Sequence, residues 1–316
     1  MITPQQSYPP LAKAVGVSSL WLKREDKHPY GSHKGRSIPV MIDEAFKKGK
    51  HHFAISSSGN AALAAAMHVK ELNRKKTSVT PAEAGVLELS QDSRFRGNDK
   101  QSKKIKLEIL VGNHILEKKL KKLSNLCDDN ISVMRFERPL MTLTQKTADG
   151  SVQSLRQSTD DEALVGYVAL ARELEEIDGL QAVFVATSSG TTAQALAQYF
   201  LNNKVPVEVH IVQTTSHHPM AGEFVNSVPN DEESVADAIV DITAHRKEAL
   251  VPLVEKTGGS GWVVTNEEIL TAQQLIENEA GIKVSPNGAL ALAGLMQATF
   301  TGREWKGPVV CVVGGE

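Results

Sequence analysis

At 316 residues, 41 % hydrophobic and 23 % charged, the chain has apolar side chains enough for a large core, which excludes the composition of a disordered protein. Its 35 basic and 37 acidic residues nearly cancel, to a formal net charge of −2, which excludes a broad electrostatic footprint for nucleic acid or an anionic membrane. Two cysteines, Cys127 and Cys311, are too few for a disulfide framework or a four-thiolate zinc site, and no run has the length of a membrane span or the pattern of a signal peptide, so a cytoplasmic globular protein is expected.

In chain order, short apolar runs predict strands at Leu20–Leu22, Phe53–Ile55, Ile105–Val111, Ile131–Phe136, Ala182–Ala186, Val207–Val212, Trp262–Val264 and Val309–Val313. Amphipathic segments between them predict helices that include Ala61–Leu72, Thr192–Phe200, Glu267–Glu279 and Ala289–Thr299. Strands alternating with helices predict an α/β fold with parallel sheets covered on both faces. Val309–Val313 is apolar throughout, as a central parallel strand should be.

One segment breaks the alternation. Between the helix ending near Asn73 and the strand at Ile105 lie roughly 30 residues, where α/β connections usually take about 2–6. Residues 75–104 hold seven apolar, seven basic and four acidic side chains, and read as a solvated basic insertion. A basic contact loop built from Arg94, Arg96, Lys100, Lys103 and Lys104 is the alternative. Without its net charge of +3, the remaining chain carries −5.

Four clusters sit at expected strand ends and helix starts, where α/β folds place ligands. In LWLKREDKHPYGSHKGRS, residues 20–37, a charged strand end enters a Pro-Tyr-Gly turn and Ser32-His33-Lys34 opens a helix. A lysine there is disfavoured as a cation by the helix dipole, and by any burial, which favours a nucleophilic amine. The spacing alone equally allows a surface lysine after a turn. The second cluster, Ser56-Ser57-Ser58-Gly59-Asn60-Ala61, places more hydroxyls before a helix than a single cap requires, and suits a carboxylate. The third, Thr187-Ser188-Ser189-Gly190-Thr191-Thr192, suits a phosphate; with no lysine after its glycine it is not a nucleoside-triphosphate loop. The fourth is the end of the last strand, Val313-Gly314-Gly315, where two glycines let something flat approach the backbone.

Taken together and in this order, the clusters resemble the fold-type-II pyridoxal-phosphate enzymes: threonine synthase, threonine dehydratase, cysteine synthase and the tryptophan synthase β chain. The stretch Gly258–Thr265, then NEEI, and the later SPNGALALAGL look most like the threonine synthase and dehydratase branch. The resemblance implies a two-lobed α/β fold, each lobe a mostly parallel sheet covered by helices, with pyridoxal 5′-phosphate in the cleft. It implies a large cofactor-binding domain from residues 1–40 and 140–316 and a smaller one from 41–139. It implies a homodimer acting on a small amino acid by β- or γ-elimination or replacement. By position, Lys34 carries the cofactor as a Schiff base and serves as general base. Ser57, Ser58, Gly59, Asn60 and Ala61 hold the substrate carboxylate, with Ser58 a second acid and Asn60 on the cofactor's 3′-oxygen. Ser188, Ser189, Gly190, Thr191 and Thr192 cradle the phosphate.

The sequence departs from the family at four places. Val313 stands where relatives place a Ser or Thr on the pyridine nitrogen, the phosphate loop is hydroxyl-rich where the family is often glycine-rich, Ser285 stands where an acidic residue often precedes Pro-x-Gly-Ala, and the chain stops at Glu316, directly after the glycines. Val313 and the chain end motivate the alternative of a catalytically reduced member that binds cofactor or amino acid in a regulatory or carrier role. Binding of some other phosphorylated metabolite, with Lys34 as a plain charge, is a third reading. Arg135, Arg138, Lys146 and Arg156 are candidates for a substrate phosphate or else a solvated loop. The pairs His51-His52 and His217-His218 lack metal-ligand spacing, so no metal is expected.

Overall fold

The computed structural model describes residues 2–78, 104–228 and 233–315. In chain order the elements are β1 (Gln5–Ser7), α1 (Pro9–Val15), β2 (Ser19–Arg24), α2 (Lys34–Lys47), β3 (His52–Ser56), α3 (Asn60–Ser78), β4 (Lys106–Gly112), α4 (Glu117–Ser124), β5 (Ile131–Phe136), α5 (Pro139–Thr147) and β6 (Gln153–Ser154). They continue with α6 (Glu162–Val165), α7 (Val168–Glu175), β7 (Ala182–Ala186), α8 (Thr191–Asn202), β8 (Glu208–Thr214), α9 (Lys247–Lys256), β9 (Gly261–Val264), α10 (Asn266–Ala280), α11 (Pro286–Phe300) and β10 (Pro308–Val313).

Two compact units result. The larger, Met1–Met41 with Arg156–Glu316, is built on a six-stranded sheet in the order β1-β2-β10-β7-β8-β9. Only β1 runs antiparallel; every other pair is parallel. The sheet is apolar on both faces because helices cover both. Val309, Cys311 and Val313 of β10 pack with α1, α10 and α11, while Val310 and Val312 pack with α7, α8 and α9. This two-sided burial explains the unbroken apolar run in β10. At Gly294 of α11 a Cβ would lie 2.3 Å from Val212 Cγ2, so the helix needs glycine to settle on the sheet. Burial also pushes the Cys311 thiol up, leaving it an inert core residue.

The smaller unit, Ile42–Leu155, carries a parallel four-stranded sheet in the order β5-β4-β3-β6. The sequence expectation closed this domain at residue 139, and here the structure corrects it. Residues 153–154 pair with Phe53 and Ala54 of β3, and α5 packs against β3 and β4, so 140–155 belong with the smaller unit. A two-residue polar strand gives no periodic signal, and β1 escaped for the same reason.

All eight strands and four helices read from the sequence are present, with ends shifted by a few residues. Helix α3 continues to Ser78, past the expected end near Asn73. Most of the expected insertion lies outside the described residues, but its two ends are stapled. The Asn73 side chain donates to the Ile105 carbonyl and accepts from the Ile105 N–H, both at 2.9 Å. With its ends fixed there, extra length adds only slowly to the entropy of closing the loop.

The core also sets a pH dependence. His210 is fully buried, stacked on Phe184 with centroids 4.3 Å apart. Its Nδ1 accepts from the Ser260 N–H and the Trp262 indole, so its proton sits on Nε2, facing Glu208. Burial pushes the pKa of His210 below the ordinary imidazole value, against the pull of Glu208. Below about pH 6.5 the unfolded chain therefore binds a proton that the native state refuses, and stability falls with pH. Glu208 acts in the same direction: burial pushes its carboxyl up, but hydrogen bonds from His210 and Trp305 hold it below the usual range. The expected result is a thermal midpoint that drops steadily from about pH 7 to about pH 4; a flat or rising midpoint would contradict it.

Candidate active site

Lys34 opens α2, and the residues around it are all clamped. The Ser32 backbone bridges to Gly315, and His33 bonds the Gly314 carbonyl through its backbone N–H at 3.3 Å and its ring Nδ1 at 2.8 Å. A Cβ on Gly35 would lie 2.3 Å from the His28 ring. Arg36 enters a buried ion network, and Ser37 donates to the Ala163 carbonyl at 2.7 Å. Lys34 itself is half-buried, and no hydrogen bond or ion pair holds its ammonium among the described residues. A cation without a counter-ion, on a backbone fixed from both sides, is the arrangement a nucleophilic lysine requires.

The network behind it balances two cations against two carboxylates. The Arg36 guanidinium bonds Glu25 at 2.7 Å and Glu173 at 2.7 Å, and Lys23 pairs with Glu173 and bonds the Thr3 carbonyl at 2.9 Å. All four charged side chains are nearly inaccessible. Burial pushes the Lys23 ammonium down in spite of Glu173. It pushes the Glu173 carboxyl up, but the Arg36 and Lys23 hydrogen bonds overcome that and hold it low.

Strands β2, β10 and β7 are neighbours, so the loops at their C-terminal ends adjoin along one edge of the sheet. After β7 the hydroxyl-rich loop turns at Gly190, φ +81°, into α8. Glycine is required twice over, since a Cβ would also lie 2.9 Å from Leu250 Cδ2 and 3.1 Å from Met220 Sδ. The helix starts with no side-chain cap, which leaves its first amides open to an anion. The hydroxyls differ in their commitments. Ser189 and Thr191 bond each other at 2.9 Å, and Thr191 also reaches the Gln157 carbonyl at 3.3 Å. Arg246 bonds the Gln157 and Asp160 carbonyls and Gln194, locking the first turns of α8 to residues 157–160. Gln213, fully buried, donates to the Thr187 carbonyl and accepts from the Met220 and Ala221 amides.

Ser188 is the exception in the cradle. Its hydroxyl accepts from the Val240 and Asp241 amides at 3.2 and 3.3 Å and donates to the Asp241 carboxylate at 3.3 Å. The segment carrying Asp241 thus places a negative charge on the serine expected to help bind phosphate. Asp241→Asn is expected to tighten binding of inorganic phosphate about three- to tenfold at low salt, with the gain shrinking as salt screens the charge. Titration calorimetry checks this, and unchanged affinity would mean that Asp241 does not oppose the anion.

Val313 is 1 % exposed and points into the core beside Gly288 of α11. It offers no hydrogen bond. The glycines after it let the chain itself come close: a Cβ on Gly315, φ +108°, would lie 2.5 Å from Ser32 Cβ, and one on Gly314 would lie 3.0 Å from His33 Nδ1. The Gly31–His33 segment packs against them. Ser285 caps α11 through the Gly288 N–H and donates to the Gly315 carbonyl at 3.1 Å, so it ties the same turn down.

On the smaller unit, Ser57–Ala61 form the loop between β3 and α3. The Ser57 hydroxyl accepts from the Gly59 N–H at 3.3 Å, and the first turn of α3 begins at Asn60. Loop hydroxyls and first-turn amides again collect at a helix start, the donor set a carboxylate takes. Arg135 and Lys146 are already paired with Glu117 and Glu108, so those two are not free for a substrate phosphate. No group of three His, Cys, Asp or Glu suited to a metal, and no helix long and apolar enough to cross a membrane, occurs among the described residues.

Parallel sheets covered by helices, a lysine at one helix start whose ammonium is unpaired among the described residues, and hydroxyl-lined starts at two others, that of α8 without a side-chain cap, describe the fold-type-II architecture. The chain belongs to the family of pyridoxal-phosphate dependent enzymes, whose model matches residues 2–315. It is 23 % identical to threonine synthase of Methanosarcina acetivorans, over 99 % of this chain and 74 % of that one. It is 23 % identical to the biosynthetic L-threonine dehydratase of Haemophilus influenzae, over 93 % of this chain and 52 % of that one. Among solved structures, maize serine racemase superposes with a TM-score of 0.76 at 16 % identity, covering 99 % of this chain and 87 % of that one. The cofactor is pyridoxal phosphate, and the residues present fit it at two points: no side chain caps the first amides of α8, and no ion pair holds the Lys34 ammonium among the described residues.

Proposed function

We propose that the protein carries out β- or γ-elimination or replacement on a small hydroxy-amino acid or its phosphate ester. The observation that carries this reading is Lys34, unpaired among the described residues and fixed at the C-terminal edge of a sheet whose neighbouring loop opens α8 without a cap. Pyridoxal phosphate, when bound, supplies an aldehyde that captures amines and a ring that draws electrons from the substrate's α-carbon. The chain supplies the rest. Lys34 would hold the cofactor covalently, and its amine would take the proton from the substrate's α-carbon. The open amides of Thr191 and Thr192, with the hydroxyls of Ser189 and Thr192, receive the phosphate. Ser57 and the Gly59–Ala61 amides would hold and orient the substrate carboxylate. Asn60 bonds the ring oxygen, and Ser58 returns a proton to the leaving group.

Val313 favours elimination over chemistry that needs a long-lived carbanion. Val313 would offer the cofactor no hydrogen bond, so chemistry that asks for little electron withdrawal fits this chain better. The threonine synthase and dehydratase relatives support the substrate class. The test is a panel of L-serine, L-threonine and O-phosphohomoserine with the cofactor-loaded protein, following keto acid, ammonia and phosphate release. Turnover of at least one above the free-cofactor rate is expected. No turnover of any, with cofactor bound, would favour the carrier or regulatory reading instead.

A further inference from the structure

His33 stands directly before Lys34 at the start of α2. Its backbone N–H and its ring Nδ1 both reach a single acceptor, the Gly314 carbonyl, at 3.3 and 2.8 Å. A carbonyl only accepts, so the ring proton must sit on Nδ1, and Nε2 keeps its lone pair. The ring lies 6.1 Å from that of Tyr167, itself fully buried. The turn it holds is fixed from the other side by Ser285, and Gly314 has no Cβ to keep the imidazole away.

We propose that His33 is the positioning residue for Lys34: as a neutral imidazole on the Gly314 carbonyl, it fixes the start of α2 to the end of β10 and thereby sets where the lysine amine presents itself. The proposal rests on Lys34 being the covalent attachment point. The surroundings keep the ring neutral. Burial, the adjacent Lys34 ammonium, Arg36 and His28 all disfavour a second proton, against the Gly314 hydrogen bond, and the pKa is lowered to about 3. His33 therefore orients without exchanging protons, and a pH profile separates the two roles. An acid-base histidine would add its own titration near neutrality, while a fixed neutral one adds none.

The experiment measures covalent uptake of pyridoxal phosphate at Lys34, trapped by borohydride and quantified by peptide mass, across pH, in wild type, His33→Phe and His33→Asn. Asparagine places an amide N–H the same number of bonds from Cα as Nδ1, whereas phenylalanine keeps ring bulk and loses the donor. Expected is a loss of roughly ten- to a hundredfold in labelling rate for the Phe variant, as for a displaced reacting group. The Asn variant should recover to within about threefold, with the slope of the pH profile unchanged. Imidazole ¹⁵N shifts assigned by difference should show Nδ1–H from about pH 5 to about pH 8. A Phe variant that labels like wild type, or a wild-type profile with a neutral-pH titration that vanishes in both variants, would overturn the positioning role alone. A wild type that takes no label at Lys34 would overturn both this role and the proposed function.

Discussion

Lys34→Ala is expected to bind pyridoxal phosphate without covalent attachment and to lose turnover by at least about 10²–10⁴-fold, the range a positioned acid-base group contributes. The argument is local. The neighbours Ser32, His33, Arg36 and Ser37 are held by partners the structure identifies, and the Lys34 backbone N–H donates to the Ser32 hydroxyl, whereas no hydrogen bond or ion pair holds its ammonium among the described residues. Lys23, eleven residues earlier, makes the contrast: its fully buried ammonium is paired with Glu173. Lys34→Arg makes the result specific, because it keeps the cation and removes the nucleophile. It should be as inactive as the alanine variant and as stable as wild type. Stopped-flow and steady-state assays with added cofactor measure the loss; an arginine variant with wild-type turnover would contradict the role.

The second large effect falls on stability. Arg36 joins Glu25 and Glu173 from inside a network that solvent scarcely reaches. Removing it leaves two buried carboxylates facing one lysine, and breaking a buried pair from one side costs about 3–5 kcal/mol. That is a large share of the roughly 5–15 kcal/mol by which folded domains exceed their unfolded states. Arg36→Met is therefore expected to lower the thermal midpoint by roughly 6–20 °C, at about 2–4 °C per kcal/mol for a domain of this size. Adding Glu173→Gln should recover part of the loss, because it removes one of the uncompensated charges. Calorimetry of the single and double variants measures this. A single variant as stable as wild type would mean that the network relaxes or admits water.

The parts of the fold legible in the sequence are those whose signal is local. Val309–Val313 and Ala182–Ala186 read as strands because both faces are buried and the runs are uniformly apolar. The loop after Ala182–Ala186 reads as a helix start because small hydroxyl residues and glycine collect there. Lys34 was legible only as one position within a motif, since a lysine after a turn is ordinary until its partners are known. What escaped depends on contacts between residues distant in the chain. Glu173 lies 137 positions from Arg36, and nothing in its own helix marks it as a buried counter-ion. The acid on Ser188 comes from Asp241, 53 positions away, in a segment without regular secondary structure. The glycines at 314 and 315 were read correctly as a close approach, yet a sequence cannot say that the approaching partner is residue 32 rather than a ligand. The pairing of β6 with β3, which moved the boundary of the smaller unit to Leu155, rests on two polar residues.

The most direct measurement of the central claim is the site of covalent attachment. Protein incubated with pyridoxal phosphate, reduced with borohydride and digested should carry the pyridoxyl mass on the peptide containing Lys34, at close to one equivalent per chain. Label spread over surface lysines, concentrated on another lysine, or absent would contradict it.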